Sequence, residues 1–128
     1  MPIKHQKNAA CAKQMRARQK EHDMLKIVVH VVDMAKWEGA LVNVNNALVA
    51  RPNATVELVC DGEAVQFVKK DYPRPAMFDE LAKKGVVFAA CRNALAYFNV
   101  PEDDLAQGVV VVVAGIIEVT EKQAEGYG

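Results

Sequence analysis

A chain of 128 residues that is 52% hydrophobic and 25% charged is long enough for one domain with a buried core. Its longest apolar run, Val109–Ile117 with Gly115 counted, spans nine residues, far fewer than the roughly 20 of a membrane helix. The polar N-terminus also lacks the apolar segment of a secretory signal. We therefore expect a cytoplasmic protein with no membrane contact.

Positive charge is concentrated near the N-terminus. Residues 1–26 carry seven Lys and Arg against two acids, although the whole chain has a formal net charge of zero. We interpret residues 1–24 as a basic, polar extension, helical or partly disordered, and residues 25–128 as a single domain. Such an arm can contact nucleic acid or an acidic partner. Because this one has no aromatic residue for base stacking, a solvated arm is favoured and nucleic acid is not an expected partner.

The first predicted strand, Leu25–Val32, is a continuous run rich in β-branched residues, which is typical of a strand covered on both faces. Asp33 follows at its carboxyl end and can cap the next element. A helix is predicted over residues 37–50, because the apolar side chains recur every three or four residues. These side chains are Trp37, Leu41, Val44 and Leu48.

The remaining elements continue this alternation. The predicted strands are Thr55–Cys60, Val86–Ala90 and Val109–Val113. The predicted helices are Glu63–Lys69, Phe78–Lys84, Arg92–Phe98 and Glu118–Glu125, with a short helical turn over Pro101–Leu105. Prolines predict a loop over residues 72–75, and Gly85 suits a helix C-terminus. This order predicts a three-layer, doubly wound α/β fold, with a mostly parallel sheet and helices on both faces.

Ligands of such sheets bind at the carboxyl ends of the strands, where this chain places Asp33, Cys60 with Asp61, and Cys91. The chain contains no serine, which excludes serine hydrolases and leaves thiols as the natural nucleophiles. Its three cysteines form no CxxC motif and no disulfide framework is indicated. Phosphate-loop signatures and metal-ligand spacings are missing as well, so we expect no metal and no cofactor.

Cys91 is the strongest candidate for a reactive residue, because it lies between a predicted strand and a predicted helix. The unpaired N–H groups and positive dipole of a helix N-terminus favour a thiolate. Arg92 adds a cation, and Asn93 can form a hydrogen bond nearby. The alternative is a buried cysteine that only packs. Cys60, which precedes a carboxylate, is interpreted as a packing residue, and Cys11 lies in the polar arm.

Three further residues are secondary binding candidates. His30 lies inside an apolar strand, where it is either a core histidine with satisfied hydrogen bonds or a proton donor near the strand end. Asn43 lies on the first helix and can face a pocket or cap locally. Asp33 joins them because of its position at a strand end.

Five segments in this order, KIVVHVVD, ALVNVNNAL, VELVCDGEAVQFV, GVVFAACRNAL and GVVVVVAGIIEVTEKQAEGY, make the chain resemble the DsrE/DsrF-like (DsrE/TusD-like) family of small sulfur-relay proteins. The likeness covers about residues 25–127. The resemblance implies a doubly wound α/β fold and a homo-oligomer, as a dimer, trimer or hexamer. It also implies, in active members, one cysteine that accepts a persulfide sulfur and passes it on, at the position of Cys91.

Two hypotheses of function follow. The first is a sulfurtransferase or sulfur carrier in which Cys91 attacks a persulfide, with a sulfur-donor or acceptor protein as partner. Arg92 and the helix N-terminus would stabilise the anion, and Asn93 and His30 would line the pocket. The second is a non-catalytic, oligomeric module that binds a small ligand or a partner, with Cys91 only lining the pocket. A weaker third hypothesis is that the basic arm contacts RNA.

Overall fold

The computed structural model of the chain describes residues 9–15, 24–73 and 76–128. Residues 1–8 and 16–23 of the predicted basic extension lie outside this part, as do residues 74 and 75 of the predicted loop. Residues 9–15 are helical. Across the three described ranges, no helix is both long and apolar enough to span a membrane.

One sheet of four parallel strands forms the centre of the fold, in the order β1-β2-β3-β4. The strands are β1 (Lys26–Val31), β2 (Thr55–Cys60), β3 (Val87–Cys91) and β4 (Val110–Val112). The helices are α1 (Trp37–Ala50), α2 (Ala76–Lys83), α3 (Arg92–Tyr97) and α4 (Gly115–Ala124). This arrangement confirms the predicted α/β class with a parallel sheet and helices on both faces.

The three crossovers between consecutive strands all move one strand further along the sheet. Because such crossovers are right-handed, they place α1, α2 and α3 on the same face. Alternate strand residues, such as Leu58 and Phe88, point into this layer and are buried there. The opposite face is covered by α4, which contacts β1, β2 and β3.

An aromatic cluster forms the centre of the larger layer. Trp37, only 1% exposed, stacks on Phe67 with the ring centroids 4.9 Å apart and the planes 3° from parallel. Phe78 and Phe88 each lie 6.2 Å from the Trp37 ring in tilted orientations. The predicted apolar face of α1 is confirmed, since its four members are all buried.

Two predicted helices differ from the observed ones. The predicted helix Glu63–Lys69 is a 3-10 helix over Gly62–Val68, and Asp61 caps its start by accepting a hydrogen bond from the Gly62 amide. The last helix begins at Gly115, three residues before the predicted start. The isoleucines of its first turn are exposed. They therefore do not belong to a buried apolar face, which is the pattern from which helices were predicted.

A buried carboxyl group lies beneath α4. Glu57 points to the α4 face and is 8% exposed, and its Oε2 has no hydrogen-bond partner. Burial raises the pKa of Glu57 most, and the negative charge of Glu118 raises it further. Lys122 on α4 acts in the opposite direction, but the Glu57 pKa still lies above the ordinary value of 4.5.

We expect Glu57→Gln to increase the free energy of unfolding at pH 8 by about 1 kcal/mol, because an ionised carboxylate without a full set of partners is costly to bury. The pKa of Glu57 is higher in the folded protein than in the unfolded chain. The wild type therefore loses stability as the pH rises from the pKa of the unfolded state through that of the folded state. Urea unfolding at pH 5 and pH 8 should show this loss in the wild type and a smaller loss in the variant. Glu121→Gln makes the same charge change on an exposed residue of α4 and serves as the control. Equal losses in the wild type and Glu57→Gln would contradict the prediction.

Candidate functional site

The carboxyl ends of three neighbouring strands bring a histidine, a carboxylate and a thiol together. His30 lies in β1, Asp61 follows β2 directly, and Cys91 is the last residue of β3. The Asp61 amide donates to the Val31 carbonyl at 2.9 Å, which extends the β1–β2 hydrogen-bond ladder by one residue. Because side chains alternate along a strand, His30 and Cys91 both point to the α4 face.

Asp61 is the centre of a hydrogen-bond network at this site. Its Oδ2 lies 2.9 Å from His30 Nε2, and its Oδ1 accepts from the Gly62 amide at 2.8 Å. The Cys91 thiol, as a hydrogen-bond donor, also helps to lower the pKa of Asp61. Burial alone would raise the pKa of Asp61, but these hydrogen bonds outweigh it and hold the pKa below its ordinary value. Asp61 is therefore ionised at neutral pH.

A cavity of about 460 Å³ opens beside this network. It lies between the strand ends, the length of α3 and the first turn of α4. The lining residues are Asp61, Gly62, Cys91, Asn93, Ala94, Tyr97, Phe98, Ala114, Gly115 and Ile116. Most of these side chains are apolar or aromatic, and Asp61 is the one charged side chain that the described residues contribute. Cys91 is 4% exposed, and it lines this cavity, which gives a route from solvent to its side chain.

Two glycines make the arrangement sterically feasible. Gly62 adopts a φ of +51°, and a Cβ built there would lie 2.8 Å from Val32 Cγ1. At Gly115, the first residue of α4, a Cβ would lie 2.5 Å from Asp61 Oδ2. The absence of a side chain at residue 115 therefore lets the carboxylate sit against the start of α4, where the helix dipole favours a negative charge.

The other predicted site residues lie in different places. Asn93 lines the cavity, as expected of a pocket residue. Arg92 Nε instead lies 3.2 Å from Glu102 Oε2, its side chain is 53% exposed, and it does not line the cavity. Asp33 Oδ1 accepts a hydrogen bond from the Ala35 amide at 2.9 Å, which confirms the predicted cap. Asn43 is exposed on α1 and is not a lining residue.

The other two thiols differ sharply from each other. Cys60 is fully buried, and burial, reinforced by the charge of Asp61, raises its pKa far above the ordinary value. Cys60 is thus a packing residue at neutral pH, in agreement with its sequence interpretation. Cys11 is exposed. Within the described ranges, no three His, Cys, Asp or Glu side chains are grouped closely enough to hold a metal ion.

Sequence reasoning placed Asp61 with Cys60 at the ligand-binding strand ends, but it did not include Asp61 among the candidate site residues. A signal for it was present, since the residue after one parallel strand must lie beside the end of the next. The aromatic residues of the cavity, Tyr97 and Phe98, were also missed, because both belong to a helix that was predicted without reference to any pocket. The arrangement as a whole offers a buried thiol, a carboxylate that lines the same cavity, and a route to both from solvent.

Comparisons with known proteins agree with this architecture. The sequence model of the DsrE/DsrF-like family matches residues 26–128. The chain is similar to the solved structure of MTH1491, a protein of unknown function from Methanobacterium thermoautotrophicum. That likeness has a TM-score of 0.76 and 28% identity, over 81% of this chain and 96% of that one. The ychN protein from E. coli shares the fold, with a TM-score of 0.64 and 14% identity over 79% of this chain and 92% of that one. No curated protein matches the chain.

Proposed function

Because the chain belongs to the DsrE/DsrF-like family, we propose that it is a sulfur-relay protein that accepts a persulfide sulfur on Cys91 and passes it on. The observation that carries this proposal is the position of Cys91. It is the one thiol among the described residues that lines the cavity at the carboxyl ends of the strands. A thiol that must be free for sulfur transfer needs such access.

The proposed reaction balances without an added oxidant or reductant. Cys91 Sγ attacks the outer sulfur of a donor persulfide, R–S–SH, and a new S–S bond forms. The S–S bond of the donor breaks, and its electron pair leaves on the inner sulfur. The proton of the Cys91 thiol ends on that leaving group, so that the products are Cys91–S–SH and R–SH. The same step, with an acceptor thiol as nucleophile, passes the sulfur on.

The contacts support different roles for the predicted site residues. Asn93, a cavity residue, has an amide that can hydrogen-bond a bound persulfide. His30 acts through Asp61, which separates its ring from the thiol. The ion pair of Arg92 with Glu102 gives no support to a role for Arg92 in stabilising a thiolate. That role, and binding roles for Asp33 and Asn43, stay predictions of the sequence.

Persulfide loading tests the proposal directly. In a Cys11→Ala background, a persulfide donor should add the mass of one sulfur atom to the intact protein, and Cys91→Ala should reduce this loading about a hundredfold or more, as expected when a nucleophile is removed. Cys60→Ala is the matched control, because Cys60 is buried away from the cavity, and it should load as well as its parent. Undiminished loading of Cys91→Ala would refute the sulfur-relay proposal.

A second candidate function is a non-catalytic binding module of the same fold. The apolar and aromatic lining of the cavity, with Tyr97, Phe98 and Ile116, favours it, because small-ligand pockets have this character. Under this alternative, Cys91 would react with a thiol reagent no faster than free cysteine and would carry no persulfide. The loading experiment therefore separates the two functions.

An exposed apolar surface supports the expected homo-oligomer. Four large apolar side chains are exposed on β4, just after it and in the first turn of α4, namely Val110, Val113, Ile116 and Ile117. Within the described part of the chain, β4 is also an edge strand, paired only to β3. Edges and apolar surfaces of this kind are commonly covered by self-association, which sedimentation of the full chain would measure. A donor or acceptor protein as partner stays a proposal.

A further inference from the structure

Among the described residues that line the cavity, the one charged side chain is a carboxylate. Asp61 is ionised, and the cavity's other described lining residues are neutral. The nearest basic residue in sequence, Arg92, has its guanidinium group paired with Glu102 and outside the lining. A molecule that enters to reach Cys91 therefore meets one carboxylate and no described cation that would compensate it, apart from His30 when that ring is protonated.

This carboxylate lines the same cavity as the reacting sulfur. His30 and the Gly62 amide hold its two oxygens at 2.9 and 2.8 Å. Because Gly115 has no side chain, the Asp61 carboxylate packs directly against the start of α4. The negative charge is thus held at this position by a hydrogen bond to each carboxylate oxygen.

We propose that Asp61 selects what reacts with Cys91 by charge, so that the site favours sulfur donors with a cationic group near the sulfur over anionic donors. The preference among sulfur donors rests on the proposed function. The effect of Asp61 on how fast charged reagents reach Cys91 does not depend on that function. A unit charge held about 5 Å from a carboxylate in a partly exposed site changes a rate by roughly tenfold. The expected donors are persulfides flanked by an ammonium or guanidinium group, and thiosulfate and carboxylate-bearing persulfides are the disfavoured class.

Two alkylating reagents that differ in charge provide the test. Cys91 is labelled in the full chain carrying Cys11→Ala, at pH 8, where histidine side chains are ordinarily neutral. Neutral iodoacetamide and anionic iodoacetate are compared, and the labelled site is read by mass spectrometry. We expect the rate with iodoacetamide divided by the rate with iodoacetate to be about tenfold larger for Cys91 than for free cysteine. Asp61→Asn should return the ratio to the free-cysteine value.

The ratio separates a charge effect from a structural one. A change in the accessibility or nucleophilicity of Cys91 alters both rates together and leaves their ratio unchanged. Asp79→Asn, on the exposed side of α2 and outside the cavity lining, makes the same change in net charge and should keep the ratio of the parent. An Asp61→Asn ratio equal to that of the parent overturns the inference.

Two further readouts keep the test decisive. If Asp61→Asn unfolds the protein, the buried Cys60 becomes labelled too. In that case the salt dependence of the Cys11→Ala parent provides the test. Added salt screens a charge effect, so it should lower the ratio of the iodoacetamide rate to the iodoacetate rate towards that of free cysteine. A ratio that is insensitive to salt then counts against the inference.

The donors themselves distinguish this inference from the proposed function. Cysteamine persulfide and mercaptoacetate persulfide are small donors of opposite charge. Faster loading of Cys91 by the cysteamine compound, by about tenfold, supports both statements. Equal loading by the two donors rejects the charge selection and leaves the sulfur relay intact. Charge-selective alkylation without any loading rejects the sulfur relay and leaves the selection intact.

Discussion

Trp37→Ala is expected to lower the free energy of unfolding by about 4 kcal/mol, the middle of the range for removing a large aromatic side chain from a core. Trp37 is 1% exposed and lies at the centre of the aromatic cluster. Its removal leaves a cavity between α1 and the sheet and ends the contacts with Phe67, Phe78 and Phe88. Urea unfolding followed by far-UV circular dichroism measures the loss.

The indole nitrogen of Trp37 provides a matched control. Trp37 Nε1 is buried without a hydrogen-bond partner, and an unsatisfied buried donor costs about 1–3 kcal/mol. Trp37→Phe removes that donor and keeps an aromatic ring, so its loss of stability should be less than half that of Trp37→Ala. A Phe variant as unstable as the Ala variant would show that the volume of the indole, and not its aromatic contacts, dominates.

Gly115→Ala is expected to abolish the hydrogen bond between His30 and Asp61. The new Cβ would lie 2.5 Å from Oδ2 and 2.8 Å from Cγ of Asp61, so the carboxylate must move. In the interior of an exposed helix, this substitution would add about 1 kcal/mol of stability. Here we expect a net loss of about 2 kcal/mol, because a charged hydrogen-bond network is broken. The histidine ring signals of His30 in NMR spectra report the broken contact.

A double-mutant cycle assigns the effect of Gly115→Ala to its contact with Asp61. When Asp61 is already alanine, most of the atoms that the new Cβ would meet are gone. Gly115→Ala should then cost little or even stabilise, and the two substitutions should show a large coupling energy. Additive losses would mean that residue 115 acts on the fold by some other contact.

The sequence predicted the strands well because each is a short run of β-branched, alanine or other apolar residues. β2 was predicted with its observed limits, and β3 was misplaced by one residue at each end. The face of α1 was equally readable, because its four apolar residues recur at helical spacing and are all buried. These features are local, and a short window of residues contains them.

The features that were missed depend on distant parts of the chain. Apolar spacing did not distinguish an α-helix from the 3-10 helix over Gly62–Val68, whose buried residues pack in the core against distant elements. The start of α4 was hidden because Ile116 and Ile117 are exposed. Asp61 was overlooked because its partners, His30 and Cys91, lie in other strands. Only the register of the parallel sheet reveals that they meet.

The order of the strands has a consequence for how the chain folds. Neighbouring strands of the sheet are also consecutive in sequence, so the sheet can grow by adding one βα unit at a time and never needs a distant strand first. His30, Asp61, Cys91 and Gly115, however, each come from a different unit. During synthesis the chain emerges from its N-terminus, and a domain folds as a unit once it is complete. A nascent chain that has completed β3 but not α4 therefore holds Cys91 without the helix that walls its cavity, so the enclosed thiol is a property of the finished fold alone.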